Sequence, residues 1–182
     1  MFGKTILLQP IQGKSLKLDV PERDDLIQFK PWMNDPEVAR YLAQYRGYTV
    51  EDELGWFDNT AKQVDKVAWA IYHDGQIIGN CGLFHIDHQS QHAEYGVVIG
   101  QQSAWGQGVG TAILEAVSQY GFKQLNLRNI YLNVFMPNQG SLKSAQKAGY
   151  KHFGTHPEYA YIDGQFVDMW MGQRQNPALL DR

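Results

Sequence analysis

The 182-residue chain contains one cysteine, Cys81. A lone thiol forms no internal disulfide and supplies neither a paired zinc site nor a redox couple. No apolar run approaches the ~20 residues a helix needs to span a bilayer. Residues 1–5 hold one lysine and too short an apolar stretch for a signal peptide, so a cytoplasmic location without membrane contact is expected. There is no basic surplus either: sixteen Lys and Arg stand against nineteen Asp and Glu, for a net charge of −3. Nucleic-acid binding, which wants a basic stripe, is thereby disfavoured. Repeats, low-complexity tracts and linkers are missing too. One domain over 1–182 is expected, with an ordered core of about 5–174 and a loose tail over 175–182. The aromatic share is high, at 13% with five Trp and ten Tyr, which suits a bulky core or a ring-lined concave site.

The most informative stretch is Trp105-Gly106-Gln107-Gly108-Val109-Gly110-Thr111, which leads into an amphipathic helix and follows an apolar strand ending at Ile99. Glycine lets a backbone turn tightly and approach a ligand closely. A helix N-terminus adds unpaired N–H groups and partial positive charge, so strand, loop and helix together make a phosphate cradle. The spacing is neither the G-x-G-x-x-G of dinucleotide sites nor a P-loop, which would end in Gly-Lys-Ser/Thr. With no Lys or Arg in the loop, main-chain donors must do the holding. A pyrophosphate-sized anion, as in coenzyme A, is the expected occupant.

Around this loop the pattern predicts a short strand pair (Ile6–Leu8, Leu16–Val20), then a helical segment to Leu42 interrupted by Pro31 and Pro36. Thr49 caps a helix predicted to run to about Lys66. Val67–Tyr72 and Ile77–Ile86 read as a hairpin turning at Asp74-Gly75. The loop helix ends near Gln124, and strand Ile130–Phe135, helix Gln139–Ala148 and a closing hairpin follow. The fold class is α/β (α+β): a mixed sheet with helices on both faces and a parallel pair where the loop helix crosses over.

Five segments in order resemble the GNAT superfamily of acetyl-CoA-dependent N-acetyltransferases, in particular its RimJ/RimL-like branch. Trp32-Met33-Asn34-Asp35-Pro36-Glu37-Val38 is similar to the W-x-N-D-P-x-V element, and Ala93-Glu94-Tyr95-Gly96 to the A-E-I-G strand. The stretch 105–111 is similar to the W-G-K-G-x-G/A-T loop. Asn138 to Ser141 with Lys147 to Tyr150 resembles the N-x-x-S…K-x-G-F block, and Tyr161 to Asp168 the Y-x-x-G-x-x-x-D ending. The resemblance implies a mostly antiparallel, twisted sheet whose central strands splay at a bulge near Gly96 to Ile99, with pantetheine in the gap and pyrophosphate on the loop. It implies acetyl-CoA as co-substrate; no metal is expected. Its contacts would be Val97, Val98, Ile99, Trp105, Gln107, Gly108, Val109, Gly110, Thr111, Asn138, Ser141 and Lys143. Gln107 replaces the branch's lysine; Lys143 and Lys147 are either substitutes or solvated helix charges.

Acetyl transfer needs a neutral amine, donors for an oxyanion, and relief of charge on the departing thiolate. Backbone N–H groups at 97–99 suit the oxyanion. Glu94 is the candidate base, against a structural ion-pair role. The family's frequent tyrosine acid would fall at Ala145; Ser141, one helical turn earlier, is the candidate donor to sulfur, unless it caps the helix. Cys81 reads as a buried hydrophobe rather than an acyl carrier. His85, His88 and His92 read as rim residues without ligand spacing. Trp32, Glu94 and Glu158 are candidate acceptor contacts, with Tyr45, Tyr48 and Trp56 as groove lining or core. An α-amine, pKa about 7.7–8.0, is neutral more often than a lysine amine near 10.4, so a protein or peptide N-terminus is the expected acceptor. The alternatives are a polyamine or aminoglycoside acetyltransferase, for which Glu51, Asp52 and Glu53 form the local acidic run, and a non-catalytic acyl-CoA sensor. A homodimer through the closing strands is a further expectation.

Overall fold

Alternating apolar residues set the strands, and glycine or Asx residues set the turns between them. The computed structural model describes residues 1–42 and 46–179. Its strands are β1 (Ile6–Ile11), β2 (Lys14–Asp19), β3 (Val67–His73), β4 (Gln76–Asp87), β5 (His92–Ile99), β6 (Asn129–Phe135), β7 (Lys151–Ile162) and β8 (Gln165–Gln175). Its helices are α1 (Phe29–Asn34), α2 (Pro36–Ala39), α3 (Val50–Lys62), α4 (Val109–Gln124) and α5 (Gln139–Lys147). The sheet is mixed and mostly antiparallel, as expected, with β5 and β6 as the parallel pair. The chain forms two compact units, 1–82 with 97–109, and 83–96 with the chain from Gly110 onward. β4, β5 and α4 each begin in one unit and end in the other.

In the first unit β1, β2 and β3 pair antiparallel in sequence order. Asp74 and Gly75 both take positive φ (54° and 76°), the conformation a two-residue hairpin turn demands. Leu16, Leu18, Val67, Trp69 and Ile71 are buried to 2% exposure or less and form the core of this sheet. Pro31 does not interrupt a helix: it lies in the first turn of α1, where its missing N–H would have no partner anyway. The break falls at Asp35, whose side chain caps α2 and which Pro36 follows at the first helical position. α3 ends at Lys62, short of Lys66, because Gln63 is already extended and Val64 is exposed, so further turns would bury nothing.

Glu53, in α3, is buried, and one of its carboxylate oxygens has no hydrogen-bond partner. Burial pushes this carboxyl above its ordinary range. The folded state therefore holds the proton to higher pH than the unfolded chain, and stability falls as pH rises from the unfolded value, about 4.3, through the raised one. A Glu53→Gln variant carries no such proton. Urea unfolding should show its stability relative to wild type improving between pH 4 and pH 7; a constant or worsening difference refutes the assignment.

In the second unit β6 pairs with β8, and β8 with β7, both antiparallel. Ile130, Leu132 and Val134 are buried, whereas Tyr131, Asn133 and Phe135 alternate onto the other, more open face of β6. Tyr150 closes the segment after α5. Ser118 Oγ donates to Leu114 O at 2.6 Å, which leaves Tyr150 to donate its hydroxyl proton to Ser118 at 2.8 Å. Asn176, at the start of the tail expected to be loose, is buried, and its amide donates to Leu127 O at 3.1 Å.

Candidate active site

β5 ends where the amides of Gly100 and Gln101 both donate to Ile78 O, at 2.8 and 3.2 Å. Two consecutive donors on one acceptor mark a bulge. It falls just past the Gly96 to Ile99 stretch where the resemblance placed it. The parallel ladder is short as well, pairing only His92, Ala93 and Glu94 with Asn129, Ile130 and Tyr131, although both strands continue. Val97, Val98 and Ile99 lie beyond the ladder and are half-buried.

The glycine loop follows directly. Trp105, 42% exposed, donates its indole N–H to Ile99 O at 2.8 Å and closes the turn. Gly106 and Gly108 have φ of 73° and 89°, and a Cβ on either would meet nothing within 4 Å. Backbone conformation requires glycine there, and the space beside it is open to a ligand. α4 then starts at the buried Val109, with Gly110 and Thr111 in its first turn. Gln107 is turned away, its Nε2 donating to Ser103 O, so it offers a ligand its main chain only. A polar cavity of about 230 Å³ backs the loop, lined by Gln101, Ser103, Ala104 and Gln107 on one side and by Lys14, His73, Asp74, Gln76 and Ile78 on the other.

The early Trp-Met-Asn-Asp-Pro element fastens this same loop. A Cβ on Gly100 would lie 2.1 Å from Trp32 Cδ2, so the indole sits flat against the glycine. Asp35 accepts from Gln102 Nε2 at 3.1 Å as well as capping α2. Asn34 brackets Tyr48 through two main-chain hydrogen bonds of 2.9 Å. Of the other groove candidates, Trp56 packs edge-on against Phe2, and Tyr45 lies outside the described residues. In the acidic run Asp52 is tied to Arg46 at 2.7 Å, which holds its carboxyl below the usual range, and Glu53 is buried.

In the second unit Glu94 is the hub of a hydrogen-bonded group. Its Oε1 accepts from Asn133 Nδ2 at 3.0 Å, and its Oε2 meets His85 Nδ1 at 3.1 Å. Its charge adds to burial in pushing the Tyr131 hydroxyl up. Asn133 is absent from the candidates the sequence offers, whereas His85 is exposed, as expected of a rim residue, and is held there by Glu94. An amide alternating with apolar residues on a central strand was the available signal for the first.

Asn138, not Ser141, caps α5: its Oδ1 accepts from Ser141 N at 3.1 Å. Ser141 is half-buried, and its hydroxyl forms no hydrogen bond among the described residues. Lys143 and Lys147 are exposed on the same helix. Ala145 is buried at 1% exposure. Cys81 is buried as well, and burial pushes its thiol up, which keeps it protonated and unreactive.

Glu158 sits on a bulge. The register jumps from His156↔Met169 to Ala160↔Val167, so Pro157, Glu158 and Tyr159 face Asp168 alone. Asp168 holds the bulge by accepting from Glu158 N at 2.9 Å, while its own carbonyl accepts from Met136 N at 2.9 Å. Glu158 takes φ 49°, and the Tyr159 ring packs against His156 and Phe135. This accounts physically for the aspartate that ends the last motif.

A model of the acetyltransferase (GNAT) domain matches residues 15–151. The chain belongs to the GNAT acetyltransferases. It is thus an N-acetyltransferase, and the reading as a non-catalytic sensor gives way. Among curated GNAT relatives, the spermidine N(1)-acetyltransferase of Escherichia coli K12 is 27% identical over 154 residues, covering 84% of this chain and 81% of that protein. Among solved structures, spermidine N-acetyltransferase from Vibrio cholerae in complex with CoA and spermine superposes with a TM-score of 0.81 at 20% identity, covering 88% of this chain and 95% of that one. RimJ from Mycobacterium smegmatis, in complex with CoA-disulfide, gives 0.84 at 16% identity, covering 97% and 90%. Among the described residues, no helix is long and apolar enough to cross a membrane.

Proposed function

We propose that this GNAT enzyme moves an acetyl group from acetyl-CoA to a primary amine of a small polyamine, by direct attack of the amine on the thioester. Polyamine here replaces the N-terminal α-amine expected from the basicity of the acceptor amine. The observation that carries the reading is the open face of β6. Glu94 meets it at Asn133, and the bulge bearing Glu158 meets it at Phe135 through Tyr159. Three rings, Tyr131, Phe135 and Tyr159, lie between two carboxylates, Glu94 at one end and Glu158 on the bulge at the other. That composition suits an extended cation, which gains both Coulomb and cation–π attraction. The similarity to a spermidine N(1)-acetyltransferase over most of the chain supports the same choice.

In this reading the loop from Trp105 to Thr111 takes the pyrophosphate through main-chain donors, and N–H groups at Val97 to Ile99 serve pantetheine and oxyanion. At the start of α5, Asn138 and Lys143 serve as contacts for the carrier, and Ser141 offers its unengaged hydroxyl to the departing thiolate. Trp32 shapes the acceptor side indirectly, by fixing Gly100.

A protein or peptide α-amine is the second reading, favoured by the five motifs shared with the RimJ/RimL-like branch. Thiol release from acetyl-CoA separates the two when spermidine, spermine, aminoglycosides and N-terminal peptides are compared. Spermidine or spermine should give kcat/KM at least ~100-fold above any peptide. A peptide that outruns both polyamines overturns the first reading, and absence of release with every amine overturns both.

A further inference from the structure

The group around Glu94 points to a division of labour that the carboxylate alone does not explain. Both of its oxygens are engaged, one by Asn133 Nδ2 and the other by His85 Nδ1. A carboxylate only accepts hydrogen bonds, so the proton of that imidazole lies on Nδ1 and its lone pair on Nε2. Nε2 forms no hydrogen bond among the described residues, and the His85 side chain is 72% exposed. The backbone is unusual at the same residue. His85 takes φ 50° inside β4, a left-handed conformation that strand residues other than glycine rarely adopt. Strain of this kind persists where surrounding structure holds it in place, often at functional positions. Glu94 is itself held by the parallel ladder and by Asn133, so its direction is fixed from two sides.

We propose that His85 is the proton-accepting residue of the acetyl transfer, with Glu94 as the positioning residue that fixes its tautomer and Asn133 as the residue that fixes Glu94. This rests on the amine-acetyltransferase reading above. The amine nitrogen forms a bond to the thioester carbonyl carbon, and its N–H proton passes to His85 Nε2. The tetrahedral centre collapses by breaking the C–S bond. The thiolate takes up one proton from solvent and the imidazolium returns one, so an amide and a thiol replace an amine and a thioester. An imidazole is suited to this because its charge change lies near neutrality, where a carboxylate is a weak base.

His85→Gly is the informative variant, because φ 50° suits glycine and folding is preserved. Its kcat should fall about 100- to 1,000-fold with KM for acetyl-CoA unchanged, and added imidazole should restore at least ~10-fold. Glu94→Gln should lose a similar factor, and the double variant little more than either single one, since the two act as a unit. Independently of turnover, nitrogen chemical shifts of His85 should report the Nδ1–H tautomer in wild type and its loss in Glu94→Gln. His85→Gly within ~3-fold of wild type, a loss that imidazole does not rescue, or a mixed tautomer in wild type overturns the proposal while the acetyltransferase reading stands. A wild-type protein that acetylates no amine overturns both.

Discussion

Gly79→Ala is expected to lower the melting temperature by about 10 °C, or to leave too little folded protein to melt. An ideal Cβ on Gly79 would lie 2.0 Å from the carbonyl oxygen of Val98 and 3.0 Å from Ile99 Cα. Both are main chain and cannot rotate away, so the backbone must separate by more than 1 Å to restore ordinary contact. Overpacking of that kind costs roughly 3 kcal/mol or more, and in a chain of this size about 2–4 °C accompanies each kcal/mol. Two other glycines calibrate the result. Gly55 lies within α3 with nothing within 4 Å of a Cβ, so Gly55→Ala should stabilise by about 0.5–1 kcal/mol. Gly75 takes φ 76° in open space, and alanine there should cost about 1 kcal/mol. Differential scanning fluorimetry ranks all three; a Gly79→Ala protein melting within 2 °C of wild type would remove the close approach. The contact bears on chemistry too, because Val98 belongs to the stretch proposed to serve pantetheine.

Most of the elements were legible because hydrophobic period and turn chemistry agree locally. The Asp74-Gly75 hairpin, the β6 alternation and the helix closed by Gly149 all follow from short-range rules. The misjudged places are element boundaries, where the adjoining segment decides the outcome. Pro31 was read as a breaker, but its position within the turn decides its effect, and a helix start is invisible when a 3₁₀ turn runs into it. Thr49 and Asp52 announce the start of α3 by reciprocal capping, whereas nothing so explicit marks its end. Site residues divide the same way. The glycine loop is a contiguous signal, and each part needs its neighbours. The Glu94, Asn133 and His85 group draws on three strands, with Asn133 39 residues beyond Glu94, and Asp168 acts on Glu158 across a bulge that no local pattern foretells.

A Gly108→Val variant is expected to keep its fold and lose about 100-fold in affinity for acetyl-CoA. Valine is β-branched, and at φ 89° it adopts a conformation costing about 1–2 kcal/mol, well within what a domain of this length survives. No protein atom lies within 4 Å of the new Cβ, so the core is untouched and the loss is local. The open volume it fills is where a phosphate would approach the N–H groups of the loop and of the first turn of α4. Those donors carry the anion almost alone, since Gln107 is engaged with Ser103 and no Lys or Arg lies between Gln101 and Thr111. Displacing the anion from two charge-assisted hydrogen bonds costs about 3 kcal/mol, and tenfold in affinity corresponds to 1.4 kcal/mol. Calorimetric titration reads the difference directly, with Gly140→Ala, whose Cβ would meet only Asn138 Oδ1 at 3.9 Å, as the control expected to bind normally. Equal affinity of Gly108→Val and wild type would take the pyrophosphate off this loop, and with it the reason for two left-handed glycines in front of a helix.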